Sequence, residues 1–297
     1  MPNLDKINTI VVLMLENGSF DHKLGFLQSD AYRINGLTGN ETVPMDPAVP
    51  GSPEVLVTPD ASYRGDFNLD PNDTANKSFV DPNHEVASVH DQLFRGSPDG
   101  KPTNKGFIWN YQQQKTTGGR ANTAQHAQSI VQCFSPDRLP VLTTLAQEFA
   151  VCDRWFSSLP GPTWPNRLFV HAATSDGQID NNLHEKGYDI DTIYDRLEDA
   201  HIRWQIYFHD FPQSLALTHL QKDFVLKNRY KLFQGFLDDA KNGSLPAYSL
   251  SSRAIRTSCL SRLMISIRRT TWHWANTSSP TFMKPYATRR IGIKPCS

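Results

Sequence analysis

Apolar positions along this chain follow two different periods. Residues Ile7 to Leu15 (INTIVVLML) form a nearly continuous β-branched run, which predicts a strand buried on both faces of a parallel sheet. Asp191 to Ala200 has helical spacing, and Ile202 to Phe208 then returns to a strand pattern. Phe149 to Phe156 predicts a shorter strand. Helices that alternate with buried strands predict an α/β fold around a mostly parallel sheet.

The segments between these elements are rich in turn-forming residues. Leu159 to Asn166 contains several prolines and predicts a loop, and Leu168 to Ala173 behind it predicts a helix. From Gly36 to Asn83 the periodicity is weak while Asp, Pro, Asn and Gly are frequent. We expect a long surface excursion there.

Length and composition exclude several classes of protein. With 297 residues and 38% hydrophobic content, the chain can form one large domain or two modest ones. It has no uninterrupted apolar run near the roughly 18 residues of a membrane span, and Met1 to Lys6 lack the features of a signal peptide. We therefore expect a cytoplasmic protein without a transmembrane segment. The four cysteines lack paired spacing, so neither a zinc site nor a disulfide framework is expected.

Charge is distributed unevenly along the chain although the formal net charge is zero. Asp239 is the last acidic residue, and the segment from Leu250 to Ser297 contains nine Arg and Lys side chains and no Asp or Glu. A basic tail is typical of a solvated arm or of a nucleic-acid contact. The tail contains no recognisable nucleic-acid-binding module, so we expect no nucleic-acid partner.

Glu16 and Asn17 directly follow the first predicted strand. The carboxyl ends of parallel strands are where open α/β sheets bind ligands. A carboxylate and an amide carbonyl are hard oxygen donors suited to a divalent cation that also contacts phosphate. The alternative is an ordinary loop Glu beside a turn-forming Asn.

A second candidate is Thr163, which lies in the segment Pro160 to Arg167 (PGPTWPNR). The prolines stiffen the backbone before a helix, where free amides and the helix dipole favour phosphate. Thr163 could act as a nucleophile if a metal lowered its pKa, or it could be an ordinary helix cap. Asn166 could donate to phosphate oxygens or only cap the helix.

Two histidines are further candidates. His84 follows Asp81-Pro82-Asn83 and could protonate a leaving alkoxide or bind a phosphate oxygen. His209, at the end of the strand predicted over Ile202 to Phe208, is a weaker candidate of the same kind. A structural role is the alternative for each.

Four ordered blocks resemble one known family. IVVLMLENGSFDHKLG, DPNHEVASVHDQLFRG, FAVCDRWFSSLPGPTWPNRLFVHAATSDG and TIYDRLEDAHIRWQIYFHDFPQSLALTHL are similar to the phosphoesterase family that includes bacterial phospholipases C, plant non-specific phospholipases C and a bacterial acid phosphatase. The resemblance covers about residues 5–249. It implies an alkaline-phosphatase-like three-layer sandwich around a mostly parallel sheet.

The resemblance also implies roles for individual residues. Glu16, Asn17 and Thr163 would bind a divalent metal cation of unknown identity, and Thr163 would be the nucleophile. His84 would be a phosphate-site histidine, while Asn166 and His209 would contact the substrate, a phosphate ester or a phospholipid. Gly18 departs from the family pattern, which usually has Arg there, and we expect altered loop stiffness rather than lost chemistry.

The resemblance stops at Ser249. The family continues with a further block and an Asp-Glu-His segment that completes the metal site. In this chain, choosing permissible codons for Leu250 to Ser297 and shifting the frame by one nucleotide gives approximately family-like sequence, which stops before the Asp-Glu-His segment. We therefore interpret residues 1–249 as the N-terminal part of the catalytic domain and residues 250–297 as a frameshift product, so that the fold is incomplete at its C-terminus.

Three readings of function remain at this stage. The first is a phospholipase C-type phosphodiesterase or an acid phosphatase of the same family, for which peripheral membrane contact stays open. The second is a remnant that binds metal or phosphate without turnover. The third, a nucleic-acid-binding protein, depends on the basic tail alone.

Overall fold

The computed structural model describes residues 6–15, 18–61, 82–114, 124–209, 212–221 and 228–252. These residues form six strands: β1 (Ile10–Met14), β2 (Thr42–Pro44), β3 (Glu54–Leu56), β4 (Trp204–Phe208), β5 (Tyr230–Leu232) and β6 (Tyr248–Ser252). Their α-helices are α1 (Phe20–Leu24), α2 (Val86–Phe94), α3 (Phe107–Gln112), α4 (Ala124–Ala127), α5 (Pro140–Glu148), α6 (Thr163–Ala172), α7 (Ile193–Asp199) and α8 (Phe233–Lys241). Short 3-10 helices lie at Gly25–Leu27, Gln128–Val131, Pro136–Arg138 and Gln213–Ala216.

The chain divides into two units. Met1–Leu15 and Leu183–Ser297 form one, called the sheet unit, and Glu16–Asn182 form the other, called the helical unit. Each is described by itself.

The sheet unit contains a four-stranded sheet in the order β1-β6-β4-β5. Every neighbouring pair is parallel, with Tyr248 opposite both Ile10 and Trp204, and Ile206 opposite Tyr230. Parallel strands need crossover connections, and α7 and α8 each precede a strand of this sheet. The predicted α/β fold with a mostly parallel sheet is therefore confirmed.

Helix α7 and strand β4 pack together at the centre of this unit. The Thr192 hydroxyl accepts from the backbone N–H of Asp195 at 3.3 Å, and the Asp195 carboxylate accepts from the N–H of Thr192 at 2.7 Å. This capping box fixes the start of α7. Tyr194 is fully buried and its ring lies 4.6 Å from that of Trp204, so the helix is anchored to the first residue of β4.

Strand β1 differs from its prediction in burial. It forms within the predicted run, but Ile10 and Leu13 are 56% and 59% exposed. Among the described strands, β1 lies at the edge of the sheet and pairs only with β6. The apolar run predicted the strand correctly. The prediction that both faces are buried is wrong for the described residues, because burial depends on which elements cover the strand, and the run itself does not specify them.

Strand β6 crosses the predicted boundary between residues 249 and 250. Leu250, Ser251 and Ser252 continue it, and all three are buried. Residues 253–297 lie outside the described part, so the assignment of a frameshifted tail stays a prediction.

The helical unit has a core of its own. Strands β2 and β3 form an antiparallel hairpin within the predicted surface excursion. Val43 and Val57 pack there with Ile108, Val131 and Cys133. Burial, assisted by the charge of Asp21, raises the pKa of the Cys133 thiol to about 12, so this cysteine is inert.

Two predictions in the helical unit need correction. The segment from Phe149 to Phe156 is not a strand but an irregular connection with a turn at Asp153-Arg154, and Trp155 is 82% exposed. Helix α6 begins at Thr163, five residues before its predicted start. Pro165 does not prevent this, because the first four N–H groups of a helix have no intrahelical acceptor to lose.

Candidate functional site

The predicted metal ligands Glu16 and Asn17 lie outside the described residues. Strand β1 ends at Met14 and helix α1 begins at Phe20, so the two residues follow the carboxyl end of the strand in sequence, as predicted. Of the three predicted ligands, the structure therefore describes only Thr163. Its hydroxyl is a hard oxygen donor of the kind that a divalent cation prefers.

The residues that follow this pair are held by His22. Its Nε2 lies 2.8 Å from the carbonyl oxygen of Ile130, which can only accept, so Nε2 carries the proton. The Nδ1 atom lies 2.7 Å from the Ser19 hydroxyl and accepts from it. The same Ser19 oxygen accepts from the backbone N–H of His22 and caps α1. His22 therefore anchors the segment that follows Glu16 and Asn17.

Thr163 is the first residue of α6, and Pro162 occupies the N-cap position. The Thr163 side chain is half-buried, and no hydrogen-bond partner of its hydroxyl is found among the described residues. The N-cap itself makes no side-chain bond. The alternative in which Thr163 caps the helix is therefore wrong, and its hydroxyl is available for chemistry.

Asn166 holds the loop before α6. Its Oδ1 accepts from the N–H of Leu159 at 3.0 Å. Its Nδ2 faces the carbonyl oxygens of Leu159, Gly161 and Pro162 at 3.0, 3.2 and 3.0 Å. The amide thereby fixes the segment that leads to Thr163. Its predicted contact with substrate stays a prediction.

His84 is connected to the start of α6 through Asn181. The Nδ1 atom of His84 lies 3.0 Å from the carbonyl oxygen of Pro82, and Nε2 lies 3.4 Å from the amide nitrogen of Asn181. The Oδ1 atom of Asn181 accepts from the backbone N–H of Trp164 at 3.1 Å, directly after Thr163. The structure thus connects His84, through Asn181, to the backbone of Trp164, the residue after Thr163, and sequence reasoning missed Asn181. No motif marks Asn181, because its role depends on the return of the loop after α6.

His209 belongs to the sheet unit, where it directly follows β4. Its ring stacks on Phe233 with the centroids 4.4 Å apart. The other described site residues, Thr163, His84 and Asn166, belong to the helical unit. Contact of His209 with substrate stays a prediction.

The interior of α6 contains two buried basic side chains, Arg167 and His171, one helical turn apart. Burial, with the charge of Arg167, lowers the pKa of His171 to about 4. His171 is therefore neutral at neutral pH.

A further cluster in the sheet unit was not predicted. Asp191, Asp195 and His219 each place one oxygen or nitrogen atom within 4.8 Å of the others, close enough to hold a metal ion. Both ring nitrogens of His219 already face carboxylates, Nδ1 at 3.2 Å from Asp195 and Nε2 at 3.1 Å from Asp189. Partial burial lowers the pKa of His219, but bonds and charge from the two carboxylates outweigh it, so the pKa is raised. This geometry favours a charged ion-pair partner over a metal ligand.

The described part of the chain contains no helix long and apolar enough to cross a membrane.

Known proteins similar to this chain are phospholipases. Non-specific phospholipase C1 of Arabidopsis thaliana is 37% identical over 248 residues, which cover 82% of this chain and 42% of that protein. Non-specific phospholipase C3 of the same plant is 35% identical over 251 residues, or 82% of this chain and 44% of that protein. Phospholipase C B of Mycobacterium tuberculosis is 29% identical over 265 residues, or 84% and 45%. The chain spans less than half the length of each of these relatives.

A sequence model of the Phosphoesterase family matches residues 7–258. The match covers the candidate residues of both units and reaches across strand β6. Together with the relatives above 30% identity, it shows that the chain belongs to the phosphoesterase family.

Proposed function

We propose that this chain carries part of the catalytic centre of a phospholipase C-type phosphodiesterase, with Thr163 as its nucleophile. Family membership supports phosphate-ester chemistry, and the relatives are phospholipases C by name. The observation that carries the proposal is the position of Thr163, which opens the ten-residue helix α6 and whose hydroxyl has no hydrogen-bond partner in the part of the chain that the structure describes.

The proposed reaction has two steps. In the first, the Thr163 hydroxyl loses its proton and its oxygen forms a bond to phosphorus, the bond from phosphorus to the diacylglycerol oxygen breaks, and the departing alkoxide takes up one proton. The enzyme then carries the phosphorylated head group as an ester on Thr163. In the second, a water oxygen bonds to phosphorus, the bond from phosphorus to the Thr163 oxygen breaks, and the proton lost by the water restores the Thr163 hydroxyl as the head-group phosphate leaves.

The described residues contribute position and dipole to these steps. Pro162 and the Asn166 amide fix the loop, so Thr163 is presented at the amino end of α6, where the helix dipole favours the negatively charged phosphate. The N–H of Trp164 is already used by Asn181, and Pro165 has none. The contribution of free amides is therefore smaller than the sequence predicted.

A divalent cation held by Glu16, Asn17 and Thr163 would lower the pKa of the threonine hydroxyl and balance phosphate charge. These donors are all oxygens, which fits a hard cation. In this proposal His84 is the phosphate-site histidine, while Asn166 and His209 contact the substrate.

The test compares Thr163→Ala with Thr163→Ser on two chromogenic substrates, p-nitrophenyl phosphorylcholine and p-nitrophenyl phosphate. The parent is the frame-restored protein, in which the family-like frame replaces the tail after Ser249 and continues through the Asp-Glu-His segment. We expect Thr163→Ala to lose turnover by orders of magnitude while Thr163→Ser keeps part of it, because serine retains a nucleophilic oxygen. Stability should be almost unchanged, since the hydroxyl makes no cap bond. Turnover by Thr163→Ala within a few-fold of the parent protein would contradict the proposal. Preference for the monoester would favour the acid phosphatase of the same family.

The metal is tested separately with Glu16→Gln, which removes one negative charge with little change in volume. We expect a higher concentration of divalent cation to be needed for half-maximal turnover. An unchanged metal titration would remove Glu16 from the ligand set.

A further inference from the structure

Three hydrogen bonds connect the first turn of α6 to Pro82: Trp164 donates to Asn181, Asn181 donates to His84, and His84 donates to Pro82. The carbonyl oxygen of Pro82 can only accept, so the Nδ1 atom of His84, 3.0 Å away, must carry a proton. The backbone N–H of Trp164 can only donate, so the atom of Asn181 that faces it at 3.1 Å must be the amide oxygen. The amide nitrogen of Asn181 then faces His84 Nε2.

This orientation decides the protonation state of His84. An amide nitrogen can only donate, so Nε2 must offer its lone pair and carry no hydrogen. Rotating the Asn181 amide would bring its NH2 group against the N–H of Trp164, which places two donors in opposition. The distance of 3.4 Å between Asn181 and His84 is long, as is common for catalytic bonds before substrate binds.

We propose that Asn181 is a positioning residue that connects His84 to the first turn of α6 and keeps the proton of neutral His84 on Nδ1. The inference rests on the proposed function for its catalytic meaning, because a neutral His84 whose Nε2 is an acceptor receives a proton rather than supplying one. The sequence suggested that His84 protonates the leaving alkoxide. From Nε2, His84 can do so only after the hydrogen bond from Asn181 has broken and Nε2 has taken up a proton.

The loop around Asn181 is anchored on both sides. The Asp180 carboxylate accepts from the N–H of Asn182 at 2.9 Å and from its side-chain amide at 2.8 Å. Gln178 donates to the carbonyl oxygens of Asp180 and Asn182 at 3.0 and 2.9 Å. Asn181 lies between these fixed residues, so its amide is presented to His84 and Trp164 by a preformed loop.

The experiment observes the His84 ring directly in the full chain. The protein is labelled with 15N-histidine at about pH 8, above the ordinary imidazole range of about 6.5. Long-range 1H–15N correlations then distinguish a protonated ring nitrogen from an unprotonated one, and His84→Asn identifies the signal. The test variants are Asn181→Leu and Asn181→Asp. Asn40→Leu is the control, because the exposed Asn40 side chain makes no hydrogen bond among the described residues.

In the parent protein and the control we expect the proton on Nδ1 and none on Nε2. Asn181→Asp should place a proton on Nε2, because a carboxylate oxygen only accepts. Asn181→Leu should give a mixture of tautomers. If Asn181→Leu does not fold, Asn181→Asp still decides, since it keeps the volume and the acceptor for Trp164. Identical His84 signals in the parent protein and in Asn181→Asp, or a proton on Nε2 of the parent, would overturn the proposal.

Kinetics of the frame-restored protein supply the second readout. Asn181→Leu should lower kcat for p-nitrophenyl phosphorylcholine about tenfold with KM little changed, as is usual when a residue behind an active group is removed. An unchanged kcat would contradict a catalytic meaning for Asn181. Absence of turnover in the frame-restored protein with Asn181 intact would contradict the proposed function, and the ring signals would then still decide whether Asn181 sets the tautomer.

Discussion

Replacing Asn166 with alanine is expected to release the loop that leads to Thr163. The Asn166 amide accepts one hydrogen bond from Leu159 and faces three carbonyl oxygens of Leu159, Gly161 and Pro162. Its NH2 group has only two hydrogens, so the side chain makes at most three full bonds. At about 1 kcal/mol net for each bond, Asn166→Ala should lower the free energy of unfolding by about 2 to 3 kcal/mol.

A second substitution at the same position sharpens this prediction. Asn166→Asp keeps the acceptor for the N–H of Leu159 but turns a carboxylate oxygen towards the three carbonyl oxygens. It should destabilise at least as much as Asn166→Ala at neutral pH, and less in acid, where a protonated carboxyl can donate one bond. The control is Asn242→Ala, since the exposed Asn242 side chain makes no hydrogen bond among the described residues.

The assay is urea unfolding followed by tryptophan fluorescence, with hydrogen exchange of the amides from Leu159 to Thr163 as the local readout. We expect faster exchange in this segment for both Asn166 variants and a change within about 0.5 kcal/mol for the control. Unchanged stability and unchanged exchange in Asn166→Ala would show that the amide does not hold the loop.

Three further predictions concern stability. Ser251 is 2% exposed in β6, and its hydroxyl lacks a partner among the described residues. Ser251→Ala should therefore raise the free energy of unfolding in urea by about 1 kcal/mol, whereas Ser244→Ala, at an exposed position, should not. A lower free energy of unfolding for Ser251→Ala would contradict this. The neighbouring carboxylates raise the pKa of His219 in the folded protein. The stability that protonated His219 supplies is therefore present below the unfolded pKa of about 6.5 and is lost as the pH rises through the higher pKa of the folded protein. His219→Gln should remove this loss from urea midpoints measured across that pH range. Burial lowers the pKa of His171 to about 4, so its effect on stability has the opposite sign. The free energy of unfolding should fall as the pH falls from about 6.5 towards 4. The same pH dependence of stability in His171→Gln as in the parent protein would contradict this.

The sequence predicted those helices and strands that are determined by residues within the element or directly beside it. The helical spacing lies within α7, its capping residue Thr192 directly precedes it, and the run that forms β4 is continuous in sequence. The strand at β1 was also predicted, but its position at the sheet edge was not, because an apolar run does not specify its neighbours.

The wrong predictions arose where a long-range contact decides the structure. The segment from Phe149 to Phe156 has strand-like composition, yet it turns at Asp153, whose carboxylate accepts from the N–H of Asn35 at 2.7 Å. Asn181 could not be found from sequence, because its two partners lie 17 and 97 positions away. The early start of α6 was missed because Pro165 was interpreted as a loop residue, although a proline in the first helical turn loses no bond.

The family match and strand β6 bear on the interpretation of the tail. The family model matches residues 7–258, and Leu250 to Ser252 continue a buried strand, so these residues belong to the fold although they lie beyond the predicted boundary at Ser249. Sequencing the encoding DNA around codon 250 tests this interpretation. An uninterrupted frame without a family-like alternative would contradict it.

The central claim is that Thr163 forms a covalent bond to phosphorus during turnover. Its most direct test is to quench the frame-restored protein during reaction with p-nitrophenyl phosphorylcholine and to identify the modified residue by peptide mass spectrometry. We expect a phosphorylcholine ester on Thr163 that is absent from Thr163→Ala. Turnover without any ester at Thr163, or an ester on another residue that persists in Thr163→Ala, would contradict it.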